Sequence, residues 1–145
     1  MLKGKTALAY TAGVIDGEGS ISIIDKQVGV KVGNTKEWLC QWLKMQYGGY
    51  IWHQNAKGNQ VEFWVWTITT RKAASFLKLI LPYLQLKRPQ AELAIMFQAT
   101  QKHGGSKGSR YSDEERAVKE AQRILMHQYN KRGRLEALVK PTAKP

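Results

Sequence analysis

Tyr10-Thr11-Ala12-Gly13-Val14-Ile15-Asp16-Gly17-Glu18-Gly19 is the stretch on which the reading of this 145-residue sequence turns. With Thr6 as a cap, the residues up to about Asp16 predict a helix that Gly17 and Gly19 interrupt. On its wheel Ala9, Ala12, Gly13 and Asp16 fall at i, i+3, i+4 and i+7, so one face is built almost entirely of small residues, while Leu8, Thr11, Val14 and Ile15 cover the rest. Such a helix sets its apolar back on its own core and brings its bare side close to another backbone. No second copy of the segment occurs in the sequence.

Downstream, Gly19 to Asp25 and Gln27 to Val32 alternate as a hairpin, with Ile21, Ile23, Val28, Val30 and Val32 on one side. Trp38, Leu39, Trp42, Leu43 and Met45 recur at helical spacing within Asn34 to Tyr47, ahead of Gly48 and Gly49. A second strand pair, Tyr50 to Gln54 and Gln60 to Ile68, flanks the turn residues 55–59. Thr69 or Thr70 caps a helix that stops at Pro82, and Pro89 opens another through Phe97. Lys102 to Ser112 reads as an exposed flap, after which Ser112 and Glu115 have capping-box spacing for a helix ending near Gly133. The expectation is a single α+β domain over 1–133, of αββαββα order, with an antiparallel sheet, an added C-terminal helix and a flexible tail over 134–145.

The net charge of +12 suits a polyanionic partner, nucleic acid first and an anionic membrane surface second. Residues 1–67 hold seven Lys or Arg against five Asp or Glu, whereas 68–110 hold eight against Glu92 alone, so the later segment supplies most of the field. Insertion into a membrane fails on length, since Lys78 and Pro82 interrupt the longest apolar run. A secretion signal at the N-terminus is disfavoured by Asp16 and Glu18 at the place of a cleavage site. Cys40 is the only cysteine, which excludes an intrachain disulfide and suits a reducing compartment, whether cytoplasmic, nucleoid-associated or organellar. His53, His103 and His127 lack partners at zinc spacing.

The Tyr10–Gly19 segment resembles the motif that names the LAGLIDADG homing endonucleases, departing from it at Thr11 and carrying Val14, Gly17 and Glu18 where Leu, Ala and Asp are common. Gly33-Asn34-Thr35, the Leu43–Ile51 segment and Leu81 to Ala91 are similar to family segments in the same order, so the resemblance covers roughly residues 7–100. Family members pack two motif helices together, each delivering a carboxylate and a backbone carbonyl. With one motif per chain, the resemblance implies a homodimer on a near-palindromic double-stranded DNA target, with Ala9, Ala12, Gly13 and Asp16 at the dimer interface.

The same resemblance implies phosphodiester hydrolysis assisted by Mg2+, or by Mn2+ or Ca2+ at the same position, with Glu18 and the Gly17 carbonyl as metal ligands and Lys87 and Asn34 as further catalytic groups. Asp16 is expected to cap or bridge the helix ends, and Gln90 has the weakest claim to a role. Plain surface roles are the alternative for Glu18 and Lys87. A two-stranded ribbon fits the major groove. With Ile21 and Val28 inward, Ser20, Ser22, Ile24, Lys26, Gln27 and Lys31 face DNA, joined by Lys36, Trp52, Gln54 and Arg88. In the second pair, Phe63 and Val65 inward would turn Glu62, Trp64 and Trp66 outward. Either that parity is reversed or the tryptophans pack on thymine methyls and neighbouring strands, a core role being the default for most of Trp38, Trp42, Trp64 and Trp66. Two other readings stay open: a non-cleaving DNA-binding regulator or intron RNA maturase on the same scaffold, and an unrelated basic RNA-binding domain.

Overall fold

The computed structural model describes residues 2–102 and 111–139, with 132–139 described by their backbone alone. Most of the expected flap and the last six residues of the expected tail lie outside the described residues. The order is α1 (Gly4–Glu18), β1 (Gly19–Ile24), β2 (Gln27–Asn34), α2 (Glu37–Tyr47), β3 (Tyr50–Gln54), β4 (Phe63–Thr69), α3 (Thr70–Ile80), a 3-10 turn (Leu81–Tyr83), α4 (Arg88–Ala99) and α5 (Asp113–Val139). The four strands form one antiparallel sheet in the order β1-β2-β4-β3. This is the expected α+β architecture.

Several boundaries differ from expectation for local reasons. Helix α1 starts at Gly4 with Lys3 as its N-cap, so Thr6 lies inside the first turns rather than capping them. At its other end it runs through Gly17, and the Gly19 N–H closes the last turn on the Ile15 carbonyl. A Cβ on Gly19 would lie 2.9 Å from Ile15 Cα, so the chain can leave the helix this tightly only without a side chain there. Helix α5 passes Gly133 and continues to Val139, because Arg134, Leu135, Glu136, Ala137 and Leu138 are all good helix formers and one glycine costs only about 1 kcal/mol. Its start is as expected, with Ser112 and Glu115 exchanging backbone and side-chain bonds of 2.8 and 3.1 Å. Asp25 and Lys26 both have positive φ, which makes the β1–β2 connection a tight two-residue turn rather than the end of a strand.

One hydrophobic core joins the helices to the sheet. Ile21, Val28, Val30, Val32, Trp66 and Ile68 meet Ile15, Trp42, Leu43, Phe76, Leu77 and Phe97. The second strand pair has the reversed parity: Trp66 is fully buried and Trp64 partly so, whereas Phe63 and Val65 share the opposite face with Trp52. Trp66 tolerates burial because its indole N–H donates to the Gly48 carbonyl at 2.7 Å. Trp42 is core as well, and Trp38, 59% exposed, is the exception in a set expected to be mostly internal. Thr11, the departure from the motif, is buried. Its hydroxyl donates to the Ala7 carbonyl at 2.8 Å and accepts from the Tyr47 hydroxyl at 2.7 Å, so the polar group is satisfied where the motif has leucine.

Gly49 sets the entry to β3. It has φ of +90°, and a Cβ there would stand 2.4 Å from the Thr67 carbonyl oxygen. Gly49→Ala is therefore expected to cost at least about 2 kcal/mol, lowering Tm by roughly 8 °C in a thermal melt. An unchanged Tm would mean that the helix-to-strand corner is not fixed by this contact.

The free edge of β1 is covered by α5, whose Asn130 amide donates to the Ile21 carbonyl at 3.0 Å. No helix among the described residues is long and apolar enough to cross a membrane.

Candidate active site and nucleic-acid interface

Helix α1 ends by presenting an exposed carboxylate beside the end of β2. The Asn34 side-chain amide donates to Glu18 Oε2 at 2.8 Å, while its Oδ1 accepts the Lys36 backbone N–H at 2.8 Å. The second bond fixes which end of the amide is which, so the first is a donor aimed at the carboxylate. Glu18 forms no ion pair among the described residues, and the bond from Asn34 engages its Oε2. Gly17, just before it, lies on the open side of the last turn.

The other wall comes from the turn ahead of α4. The Asp16 carboxylate accepts the backbone N–H groups of Gln85, Leu86 and Lys87 at 2.8, 3.1 and 2.9 Å, and the Asp16 carbonyl accepts from Lys87 Nζ at 2.7 Å. A carboxylate at the N-terminal end of α4 and an ammonium at the C-terminal end of α1 each complement the local helix dipole. Burial pulls the Lys87 ammonium below its usual pKa, and neighbouring Asp16 offsets part of that. Glu18, Asn34 and Lys36 thus form one bonded group, with Lys87 joined to the same helix end through Asp16. Gln90 is engaged elsewhere, with Asn130.

The expected interface face needs correction. Ala12 is fully buried in its own chain, and Asp16 is turned to the 85–87 turn. The bare side of α1 is instead the every-fourth line Ala9, Gly13 and Gly17, with open space over both glycines. Beside it runs a groove of about 590 Å3 from Ala9 and Gly13 past Trp38 to Glu18 and Asn34. The exposed rings of Tyr10 and Trp38 flank it, packed on Trp42 at centroid distances of 5.4 and 6.1 Å. The helical spacing of Trp38 alone reads as core, so the sequence offered no sign of its exposure.

Of the expected DNA-facing positions, Ser20, Ile24, Gln27, Lys31 and Trp52 are exposed and Ser22 and Gln54 half-buried on the outward side of the sheet, with exposed Lys26 in its hairpin turn, whereas exposed Lys36 precedes α2 and half-buried Arg88 opens α4, both off the sheet. Arg88 directs a guanidinium nitrogen to the Pro82 carbonyl at 3.5 Å. The reversed parity adds half-buried Phe63 and Val65 to this face beside exposed Tyr50, with Thr67 on the same side but buried, and no outward strand position on it is Asp or Glu. Arg71, Lys72 and Lys78, part of the basic span, lie exposed on α3 in the helical layer instead. Cys40 is buried against the Val32 and Trp64 carbonyls, and burial pushes its thiol pKa up, as for an unreactive thiol.

No protein-family profile matches the sequence, and no curated protein does. Among solved structures, the homing endonuclease I-CvuI with its target in the presence of 2 mM Ca is 23% identical, with a TM-score of 0.53 over 64% of this chain and 66% of that one. I-CvuI with an I-CreI target in the presence of 2 mM Mg, the DNA not cleaved, is 24% identical, with a TM-score of 0.52 and the same coverage. An archaeal intron-encoded homing endonuclease complexed with DNA is 13% identical, with a TM-score of 0.49 over 86% of this chain and 96% of that one. The match spans just under two thirds of the I-CvuI chains, whose fold this chain shares.

Proposed function

We propose that the chain is one half of a homodimeric homing endonuclease of the LAGLIDADG type, which hydrolyses both strands of a near-palindromic DNA site with a divalent cation. The observation that carries this reading is the placement of Glu18: an unneutralised carboxylate, oriented by Asn34, at the tip of a helix whose outer side is bare enough for a second copy.

The donor set fits a hard cation. Glu18 is held by an amide rather than a cationic partner, so its charge is available, and Gly17 offers a carbonyl beside it. Among the described residues no group of three His, Cys, Asp or Glu comes together, so the Glu18 carboxylate and the Gly17 carbonyl are the ligands this chain would contribute. When bound, Mg2+, or Mn2+ or Ca2+ at the same position, supplies phosphate charge neutralisation and a more acidic water. Lys87 Nζ, with one proton committed to the Asp16 carbonyl, has others to offer a phosphate or the water around it. The acid-free outer face of the sheet suits the major groove, and Ser20, Ser22, Gln27, Lys31 and Gln54 offer it hydrogen-bonding groups.

Plasmid nicking tests the reading: cutting with Mg2+ and none with a chelator is expected, and binding without cutting under both conditions would point to a regulator. The interface has its own test. Gly13→Leu places a bulky side chain on the bare line and is expected to convert the dimer to monomer in sedimentation at micromolar concentration; an unchanged dimer would place the contact elsewhere. The exposed basic side of α3, away from the sheet face, favours intron RNA as a second partner, and a maturase role is the second reading.

A further inference from the structure

The outer face of the sheet is chemically divided. Trp52 is 52% exposed and Tyr50 56%, and Trp52 packs edge to face on Phe63 at 5.8 Å with Val65 directly across the ladder. Gly33, paired with Val65 on its other side, has no side chain with which to cover it. The result is a continuous apolar patch on β3 and β4. On β1 and β2 the same face is polar at Ser20, Ser22, Gln27 and Lys31, and its one exposed apolar side chain, Ile24, stands apart at the hairpin end.

The patch has a defined place relative to the candidate active site. Its central row, Gly33–Val65–Trp52, lies one residue from Asn34, whose amide holds Glu18. The hairpin turn begins beyond Gln27, six residues away along β2, or about 20 Å at the usual rise of a strand. At about 3.4 Å per base step, this separates the patch from the hairpin end by about six base pairs.

Base edges in the major groove present hydrogen-bonding groups at every pair but only one apolar group, the thymine methyl. We infer that the Trp52–Phe63–Val65 patch is a thymine-methyl reader, selecting methyl-bearing pyrimidines in the base pairs of each half-site nearest the cut, while the polar stretch of β1 and β2 between Gly33 and Ile24 reads the next pairs by hydrogen bonds. Lys31 on the same face and the absence of carboxylates among its outward strand positions suit a duplex rather than an acidic protein as the occupant. The inference rests on the nuclease reading and adds the substrate feature that reading leaves open.

Sites cut from a randomised duplex library locate the cut and the preferred base at each step. Enrichment of thymine is expected in the innermost pairs and not in those facing the polar stretch between Gly33 and Ile24. The best site is then remade with deoxyuridine for thymidine, and affinity is compared by fluorescence anisotropy. Each methyl lost from an inner pair is expected to weaken binding about fourfold, and one lost from a pair facing the polar stretch to have no effect. Trp52→Gln should abolish the difference between the thymidine and deoxyuridine duplexes, whereas Lys26→Gln should keep it. Cut sites without the inner thymine bias, or equal affinity for both duplexes, overturn this inference alone. A library in which nothing is cut or bound overturns it together with the nuclease reading. A change of oligomeric state in Trp52→Gln, with thymine preference intact, reassigns the patch to a protein contact.

Discussion

Glu18→Gln is expected to lower single-turnover DNA cleavage by at least about 10³-fold while leaving affinity for the same duplex within a factor of a few. The substitution keeps the length of the side chain and an oxygen for the Asn34 amide to bond, so the local structure survives. What it removes is the negative charge, the one property that a hard cation requires of this position. Binding does not suffer, because a carboxylate facing a phosphate backbone opposes association rather than aiding it. Asn34→Ala is the matching positioning variant. It frees the Glu18 carboxylate without neutralising it, so a smaller loss of about tenfold is expected, and rescue by Asn34→Gln would mark the role as orientation. Cleavage by Glu18→Gln at the parental rate with magnesium present would remove Glu18 from the mechanism.

Asp16→Ala is expected to destabilise the fold by about 3 kcal/mol, seen as a fall in Tm of roughly 10 °C. Three backbone N–H groups converge on that carboxylate, the one from Lys87 in a partly buried setting, and alanine leaves all three without their acceptor. The effect should exceed that of a typical surface acid because charged acceptors make the stronger hydrogen bonds. Asp16→Asn, which keeps one acceptor oxygen, should recover part of the loss. Cleavage by the alanine variant should fall too, because Lys87 is placed by the same turn. A loss of stability below about 0.5 kcal/mol would show that the turn is held by packing alone.

The helix at the heart of the site was legible because its signal is local: small residues at helical spacing, glycines at its end, and an acid just beyond. Glu18 and Lys87 could be named from the resemblance, yet the bond from Asn34 to Glu18 and the anchoring of the 85–87 turn on Asp16 join residues that no periodicity relates. The first hairpin was read with the right faces because valines and isoleucines alternate with polar residues. In β4 aromatic and aliphatic residues occupy both faces, so alternation carries no information there. The outcome depends instead on whether a buried indole finds an acceptor, which Trp66 does at the Gly48 carbonyl. Ala12 was misplaced for a related reason: alanine fits a close helix contact and a tight core equally well. Trp38 was the converse case, an apolar residue at core spacing that the fold leaves outside.

The tie between Asp16 and the 85–87 turn spans 69 to 71 positions of sequence. Closing so long a loop carries an entropic cost that a nascent chain cannot recover until the distal segment has been synthesised. A ribosome-bound fragment ending before Gln85 can already hold the first helix and both hairpins, but its acidic tip has no anchorage and its lysine does not yet exist. Assembly of the Glu18–Lys87 centre is thereby deferred until the chain has been synthesised past Lys87.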